Sequence, residues 1–192
     1  VSLLVALWSA RAGVGAMVIG LNAVYNERNR NAAKHYLHAL MLTVSLVGVG
    51  IVALLAVVVA PIILAFIPLG PFGNAVADLL RWTVATAVLF AGVGVLYRFG
   101  PNRRAARLPW LSSGAILAVM SWAVLSIGFS YYVANFGNYN QVYGSIGAVI
   151  AMLVWLWISS FLILFGAALN AQVERRTRPD STIGPAKPRG QR

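Results

Sequence analysis

The side chains that most often do chemistry are few and widely separated in this sequence. The carboxylates are Glu27, Asp78, Glu174 and Asp180, and the histidines are His35 and His38. The two histidines share one face of a helix, but a metal site needs more ligands and only Glu27 is near them. No carboxylates are paired for acid–base work, and the HExxH, GxSxG and phosphate-loop patterns are missing. The sequence therefore predicts no catalytic residue, no metal site, no cofactor and no enzyme activity.

The composition is that of a protein dissolved in lipid. Of the 192 residues, 60% are hydrophobic and 10% are charged, and the mean hydropathy is +0.79. Soluble domains carry about 25% charged residues, so this chain has too few to cover a water-facing surface. Cysteine is absent, which excludes disulfides and thiolate metal sites.

Four apolar runs are long enough to cross a bilayer as helices, which takes about 20 residues. They cover residues 40–67, 79–96, 111–134 and 145–170, and Arg81 is the one charged residue inside them. Residues 1–10 are too short to span and are expected to be the cytoplasmic end of a helix whose beginning is missing. Residues 13–25 continue at helical period along the inner membrane surface. The predicted fold is an all-α, polytopic membrane protein with four full spans plus the end of a truncated N-terminal span.

The basic residues alternate between the gaps that separate these runs. The net charge is +11, and the segments 26–38, 98–110 and 171–192 hold all of the Lys and Arg except Arg11 and Arg81. The gaps 68–78 and 135–144 hold none. The positive-inside rule places the three basic segments, including the C-terminus, in the cytoplasm and the two neutral gaps outside.

This charge placement also predicts partners and domain limits. Basic residues beside apolar runs favour anionic lipid headgroups as partners and give no indication of nucleic-acid binding. We predict three regions: a helix end and basic linker over 1–38, a transmembrane bundle over 39–172, and a basic cytoplasmic tail over 173–192. The tail is rich in Pro, Gly and Arg from Arg178 onward, so it is expected to be disordered.

Two segments carry candidate binding residues. Four arginines follow the second run and could hold a phosphate-bearing lipid headgroup: Arg98, Arg103, Arg104 and Arg107. The simpler alternative is that they only anchor the topology. The outward loop is polar and uncharged and could form a gate or line a cavity, with candidates Asn135, Asn138, Tyr139, Asn140, Tyr143 and, in the last run, Asn170. Its alternative is a turn within an aromatic interface belt.

Small residues in the last run predict close helix packing. They are Gly144, Gly147, Ala148, Ala151 and Gly166. A homo-oligomer is also compatible with such surfaces. Trp155 and Trp157 lie in the middle of this run, where we expect them to pack on neighbouring helices.

Several segments together resemble the YihY/BrkB family of bacterial inner-membrane proteins. They are LYRFGPNRR (96–104), Trp110, Gly114, GFSYYVANFGNYNQVYGSIGA (128–148) and LFGAALNAQVE (164–174), with LWSA (7–10) and LNAVYN (21–26) fitting more loosely. The resemblance is most specific over 96–174. It implies a six-span protein of the bacterial inner membrane, of which this chain lacks the first span.

The resemblance also brings three functional labels: a tRNA-processing ribonuclease, a virulence factor, and a transporter, including of lipid. A metal-dependent nuclease needs clustered carboxylates or histidines, and the sequence has none. The expected function is therefore that of a transporter or flippase-like protein for an amphiphilic or anionic substrate. The alternative is a membrane scaffold that organises the envelope without transporting anything.

Overall fold

The described part of the chain is helical apart from short connections. The computed structural model describes residues 2–64, 66, 70–103, 112–135 and 140–177, with no strand among them. Its elements are α1 (Ser2–Val24), α2 (Ala32–Leu54), a π-helical segment (Leu55–Val59), α3 (Ala60–Leu64), α4 (Gly70–Phe99), α5 (Ser113–Asn135) and α6 (Asn140–Thr177). They form two compact units, one holding α1 to α4 and the other α5 and α6. The all-α fold class predicted from the sequence is confirmed.

Five helices in the described part of the chain are long and apolar enough to cross a membrane. They are Leu4–Val24, Ala32–Leu64, Gly70–Phe99, Ser113–Asn135 and Ile146–Arg176. The last four overlap the four predicted runs over most of their length. Many large apolar side chains on them are exposed, such as Leu79 at 69% and Ile127 at 72%. Since water would disfavour such a surface, these faces are suited to lipid.

The helices extend further than the apolar runs predict. Residues 70–78, expected in an outward loop, already belong to α4, and residues 32–38, expected in a cytoplasmic linker, belong to α2. α6 begins at Asn140 and continues to Thr177, past the predicted end of the bundle at 172. Charged and polar residues can extend a helix into the headgroup region, so the limits of an apolar run mark the hydrocarbon and not the helix.

α1 is one continuous helix that covers both N-terminal segments. The sequence predicts a helix end over 1–10 that continues at helical period over 13–25, and Ser2–Val24 is a single helix of 23 residues. Arg11 does not interrupt it, because its guanidinium lies 4.1 Å from the ring centre of Tyr36 and 5.2 Å from that of Trp8. This cation–π contact gives the charge a favourable partner on an otherwise apolar helix.

α2 changes its winding in the middle of its span. The N–H of Ala60 donates to the carbonyl of Leu55, five residues earlier, as in a π-helix. α2, the π-helical segment and α3 together form one long rod over Ala32–Leu64. A π-helical turn inside an α-helix rotates the residues that follow it relative to those before, and such turns occur often at functional sites.

α5 and α6 pack against each other through small residues and aromatic rings. A Cβ atom at Gly114 would overlap the carbonyl oxygen of Gly166, so the two backbones touch at this point. Further along, the indole N–H of Trp122 donates to Ser159 Oγ over 3.1 Å, and its ring lies 5.8 Å from that of Trp155. The predicted packing roles of Gly166 and Trp155 are therefore confirmed.

Candidate functional site

The end of α4 is held by side chains of the α1–α2 region. The two terminal nitrogens of Arg30 donate to the carbonyls of Gly100 and Pro101, over 3.0 and 3.1 Å. His38 Nε2 lies 2.6 Å from the carbonyl oxygen of Phe99 and donates to it, since a carbonyl only accepts. The last carbonyls of a helix have no partner within the helix, so Arg30 and His38 satisfy them. Partial burial lowers the pKa of Arg30 from its ordinary value.

Two asparagines fasten the segment after α4 to α1. The backbone N–H of Asn102 donates to Asn22 Oδ1 over 2.8 Å, and Asn22 Nδ2 donates to Asn29 over 2.9 Å. Asn22 is 1% exposed, so an unpaired amide there would be costly. Gly100 lies against Leu21, whose Cδ1 would be 2.7 Å from a Cβ atom at this position. Much of the 96–104 motif therefore serves to pack the first unit together.

Two of the four candidate headgroup arginines fall in the described part of the chain. Arg98 is exposed beside the ring of Phe99. Arg103 is half-buried, with its guanidinium 4.0 Å from the ring centre of Tyr25 and a long hydrogen bond to the carbonyl of Tyr97. Arg104 and Arg107 lie outside the described residues. Arg98 is thus the more exposed of the two, and Arg103 has a packing role.

The two candidate gate residues whose side chains are described, Asn135 and Asn170, lie far apart. Asn135 is exposed at the end of α5, where its Nδ2 donates to the carbonyl of Tyr131. Asn170 is 3% exposed and lies at the other end of α5, about 30 Å away for a helix of this length. Asn138 and Tyr139, and the side chains of Asn140 and Tyr143, lie outside the described residues.

Asn170 supports the first turn of α5. Its Oδ1 accepts the backbone N–H of Gly114 over 2.8 Å, and its Nδ2 donates to Ser112 Oγ over 2.8 Å. Ser112 Oγ in turn accepts the N–H of Ala115, which makes Ser112 a side-chain cap for the helix. Both functions of the buried amide are used, so Asn170 acts in packing between α5 and α6.

The first unit contains a hollow that was not predicted from the sequence. Its volume is about 780 Å³, and it is lined by Ala56, Ala60, Pro61, Leu64, Phe72, Gly73, Asn74, Val76, Ala77, Asp78, Leu80, Arg81 and Val84. One wall comes from the π-helical segment and α3, and the other comes from the first half of α4. Both walls include small residues, with Ala56 and Ala60 on one wall and Gly73 and Ala77 on the other.

An ion pair lies in the wall of this hollow. Arg81 Nη2 is 3.2 Å from Asp78 Oδ1, and the two side chains are 33% and 65% exposed. The isolated position of Arg81 in an apolar run was the one sequence signal for this site. The π-helical wall has no such signal, because it depends on how α2 packs and not on a sequence motif.

The described residues contain no group of three His, Cys, Asp or Glu side chains able to hold a metal ion. The two histidines point to separate contacts: a Cβ atom at Gly15 would lie 3.2 Å from His35 Nε2, and His38 caps α4. Both histidines therefore pack between helices of the first unit.

Fold and composition define a polytopic helical membrane protein. The family model described as virulence factor BrkB matches residues 1–191. The chain therefore belongs to the BrkB (YihY) family, as the resemblance implied.

This chain covers a different share of each relative that it resembles. It is 34% identical over 184 residues to the putative ribonuclease-like protein YfkH of Bacillus subtilis (strain 168), covering 93% of this chain and 66% of that protein. It is 37% identical over 96 residues to a UPF0761 membrane protein of Alteromonas mediterranea, covering 50% of this chain and 32% of that protein. A UPF0761 membrane protein of Xanthomonas campestris is 33% identical over 102 residues, which is 52% of this chain and 24% of that protein. The chain thus spans between a quarter and two thirds of these relatives. No solved structure matches it.

Proposed function

We propose that the chain is part of a transporter or flippase-like protein that moves an amphiphilic or anionic substrate. The observation that supports this proposal is the hollow between α3 and α4. It combines apolar walls with one ion pair, which is the combination that an amphiphile requires.

The proposed setting is the bacterial inner membrane, with the C-terminus in the cytoplasm. The separation of basic and neutral gaps supports this orientation. The proposed partners are membrane lipids, anionic ones at the basic surface, and not nucleic acid. A homo-oligomer is compatible with the exposed apolar helix faces.

Reconstitution into vesicles tests transport directly. Fluorescent phospholipid analogues placed in one leaflet should cross to the other faster in vesicles that contain the protein than in protein-free vesicles. Anionic and zwitterionic analogues are compared side by side. A crossing rate equal to that of protein-free vesicles, for protein shown to be folded and correctly inserted, would contradict the proposal.

A membrane scaffold is the second candidate, and one feature of the second unit favours it. The buried polar groups of Ser112, Gly114 and Asn170 satisfy each other, which holds α5 and α6 together as a helix pair. A scaffold predicts no lipid movement in the same vesicles.

We also propose that the chain is not a nuclease. Among the residues that the structure describes, no three His, Cys, Asp or Glu side chains form the cluster that a metal-dependent nuclease requires. The purified protein with Mg²⁺ or Mn²⁺ should leave tRNA intact. Cleavage that disappears on Asp78→Asn would contradict this proposal.

A further inference from the structure

We propose that the hollow between α3 and α4 binds a zwitterionic phospholipid of the outer leaflet, with Asp78 and Arg81 holding the two charges of its headgroup. This inference rests on the proposed function only because both use the same hollow. A lipid can also bind there without being moved across the membrane. It differs from the earlier assignment of lipid contacts to the cytoplasmic arginines.

The position of the ion pair along α4 points to the outer surface. Arg81 and Arg98 are 17 residues apart, and all residues between them are uncharged. At 1.5 Å per residue this separation is about 25 Å, close to the thickness of the hydrocarbon core. If Arg98 lies at the inner headgroups, Arg81 lies at the outer ones. Trp82 is 66% exposed beside Arg81, and tryptophan is enriched at this depth.

The charges of the hollow complement a headgroup that carries one of each sign. Arg81 presents N–H donors suited to a phosphate, and Asp78 presents a carboxylate suited to an ammonium group. The two side chains pair with each other over 3.2 Å. A partly exposed pair of this kind is weak, so exchange for a phosphate and an ammonium costs little. An anionic headgroup without an amine would satisfy Arg81 but leave Asp78 facing the negative charge.

The remaining walls suit acyl chains. Leu64, Leu80 and Val84 line the hollow together with the facing alanines, and none of them carries a polar side-chain atom. A hollow of about 780 Å³ is within the range of sites that hold small organic ligands. It has room for a headgroup and the upper part of the chains, and the rest would remain in the bilayer.

The test measures which lipids stay with the protein. The chain is purified into nanodiscs made of equal amounts of phosphatidylethanolamine and phosphatidylglycerol, briefly washed with detergent, and its retained lipids are quantified by mass spectrometry. Phosphatidylethanolamine should be enriched about threefold, the size expected for a partly exposed charge contact. Asp78→Asn should bring the ratio close to one, and Asp78→Glu should restore the enrichment. A purely structural role for Asp78 would change stability but not this ratio.

Filling the hollow tests the location. Ala60→Trp should abolish retention of the lipid, whereas Ala87→Trp, at an exposed alanine of α4 outside the lining, should not. Ala77→Leu is a milder second filling variant in case Ala60→Trp fails to fold. The inference is overturned if the wild-type protein shows no enrichment, or if a folded filling variant retains lipid as the wild type does.

Combining this assay with the vesicle assay separates the two proposals. Selective retention without lipid movement leaves the binding site standing and removes the transport proposal. Lipid movement that is unchanged in a folded hollow-filling variant leaves transport standing and removes this site.

Discussion

At Gly114 the helices α5 and α6 approach so closely that a side chain would not fit between them. Asn170 lies at the same contact. A Cβ atom at Gly114 would overlap the Gly166 carbonyl and approach the Asn170 amide within 2.6 Å. Backbone atoms cannot move aside as a flexible side chain can, so the helices would have to separate. That movement would also break the hydrogen bonds that Asn170 makes to the first turn of α5.

We therefore expect Gly114→Ala to destabilise the protein by about 3 kcal/mol, the upper part of the range for overpacked cores. Gly128→Ala on the same helix is the matched control, because nothing lies within 4 Å of a Cβ atom there. It should be neutral or stabilising by about 0.5–1 kcal/mol, as expected from helix propensity. Thermal unfolding in detergent compares the two. Equal unfolding temperatures would show that α5 and α6 do not approach closely at Gly114.

A second test on individual residues asks whether the arginines at the proposed cytoplasmic surface recognise a phosphate. If Arg98, Arg103, Arg104 and Arg107 recognise a phosphate by bidentate contacts, replacing all four by Lys keeps the charge but loses that geometry. Retention of anionic lipid should fall about threefold while topology is unchanged. The same replacement at Arg175 and Arg176 serves as the control. Unchanged retention would mean that the four residues act only as a topology anchor.

Among the elements, α1 has contacts that show how it crosses its neighbours. Trp8, Arg11 and Gly15 all contact α2 within residues 35–39, although they extend over two turns of α1. Leu21, Asn22 and Tyr25 then contact residues 100–103. Since His38 touches Phe99, these two sets of partners lie at the same level of the first unit. α1 therefore runs across the ends of α2 and α4 and not alongside them.

Such a crossing predicts that α1 lies along the inner membrane surface, although it is long enough to span. A cysteine at Ser2 should then react with a membrane-impermeant reagent from the cytoplasmic side. A spanning α1 would place Ser2 outside instead, because the linker that follows is on the cytoplasmic side. Lys34→Cys is the control for the cytoplasmic side, since Lys34 is exposed. Labelling of Ser2→Cys from the outside alone would exclude the surface position.

For the whole molecule, the testable property is its orientation in the membrane. The predicted outward loop is probed by Asn138→Cys, which should react only from outside, while Lys34→Cys should react only from inside. The chain has no native cysteine, so each label reports one position. The physical reason is the absence of Lys and Arg from the loop 135–144. Labelling of Asn138→Cys only from the cytoplasmic side would reverse the topology.

The sequence alone was sufficient to predict the lipid environment, the helical secondary structure and the family. Apolar runs must be helical in lipid, because every backbone polar group needs a partner within its own segment. The four predicted runs consequently overlap four observed helices over most of their length. The motifs over 96–174 were sufficient to indicate BrkB membership, which the family model over residues 1–191 confirms.

Contacts between distant residues required the tertiary structure. Nothing in the spacing of Asn22 and Asn102, 80 residues apart, indicates that they hydrogen-bond, or that Arg30 caps α4. The hydrogen bonds of Asn170 to the first turn of α5 are not indicated by the sequence either, because helix geometry and not residue type decides what a buried amide contacts. The hollow likewise depends on how α3 and α4 are placed, and only the structure shows that the Asp78–Arg81 pair lies in its wall.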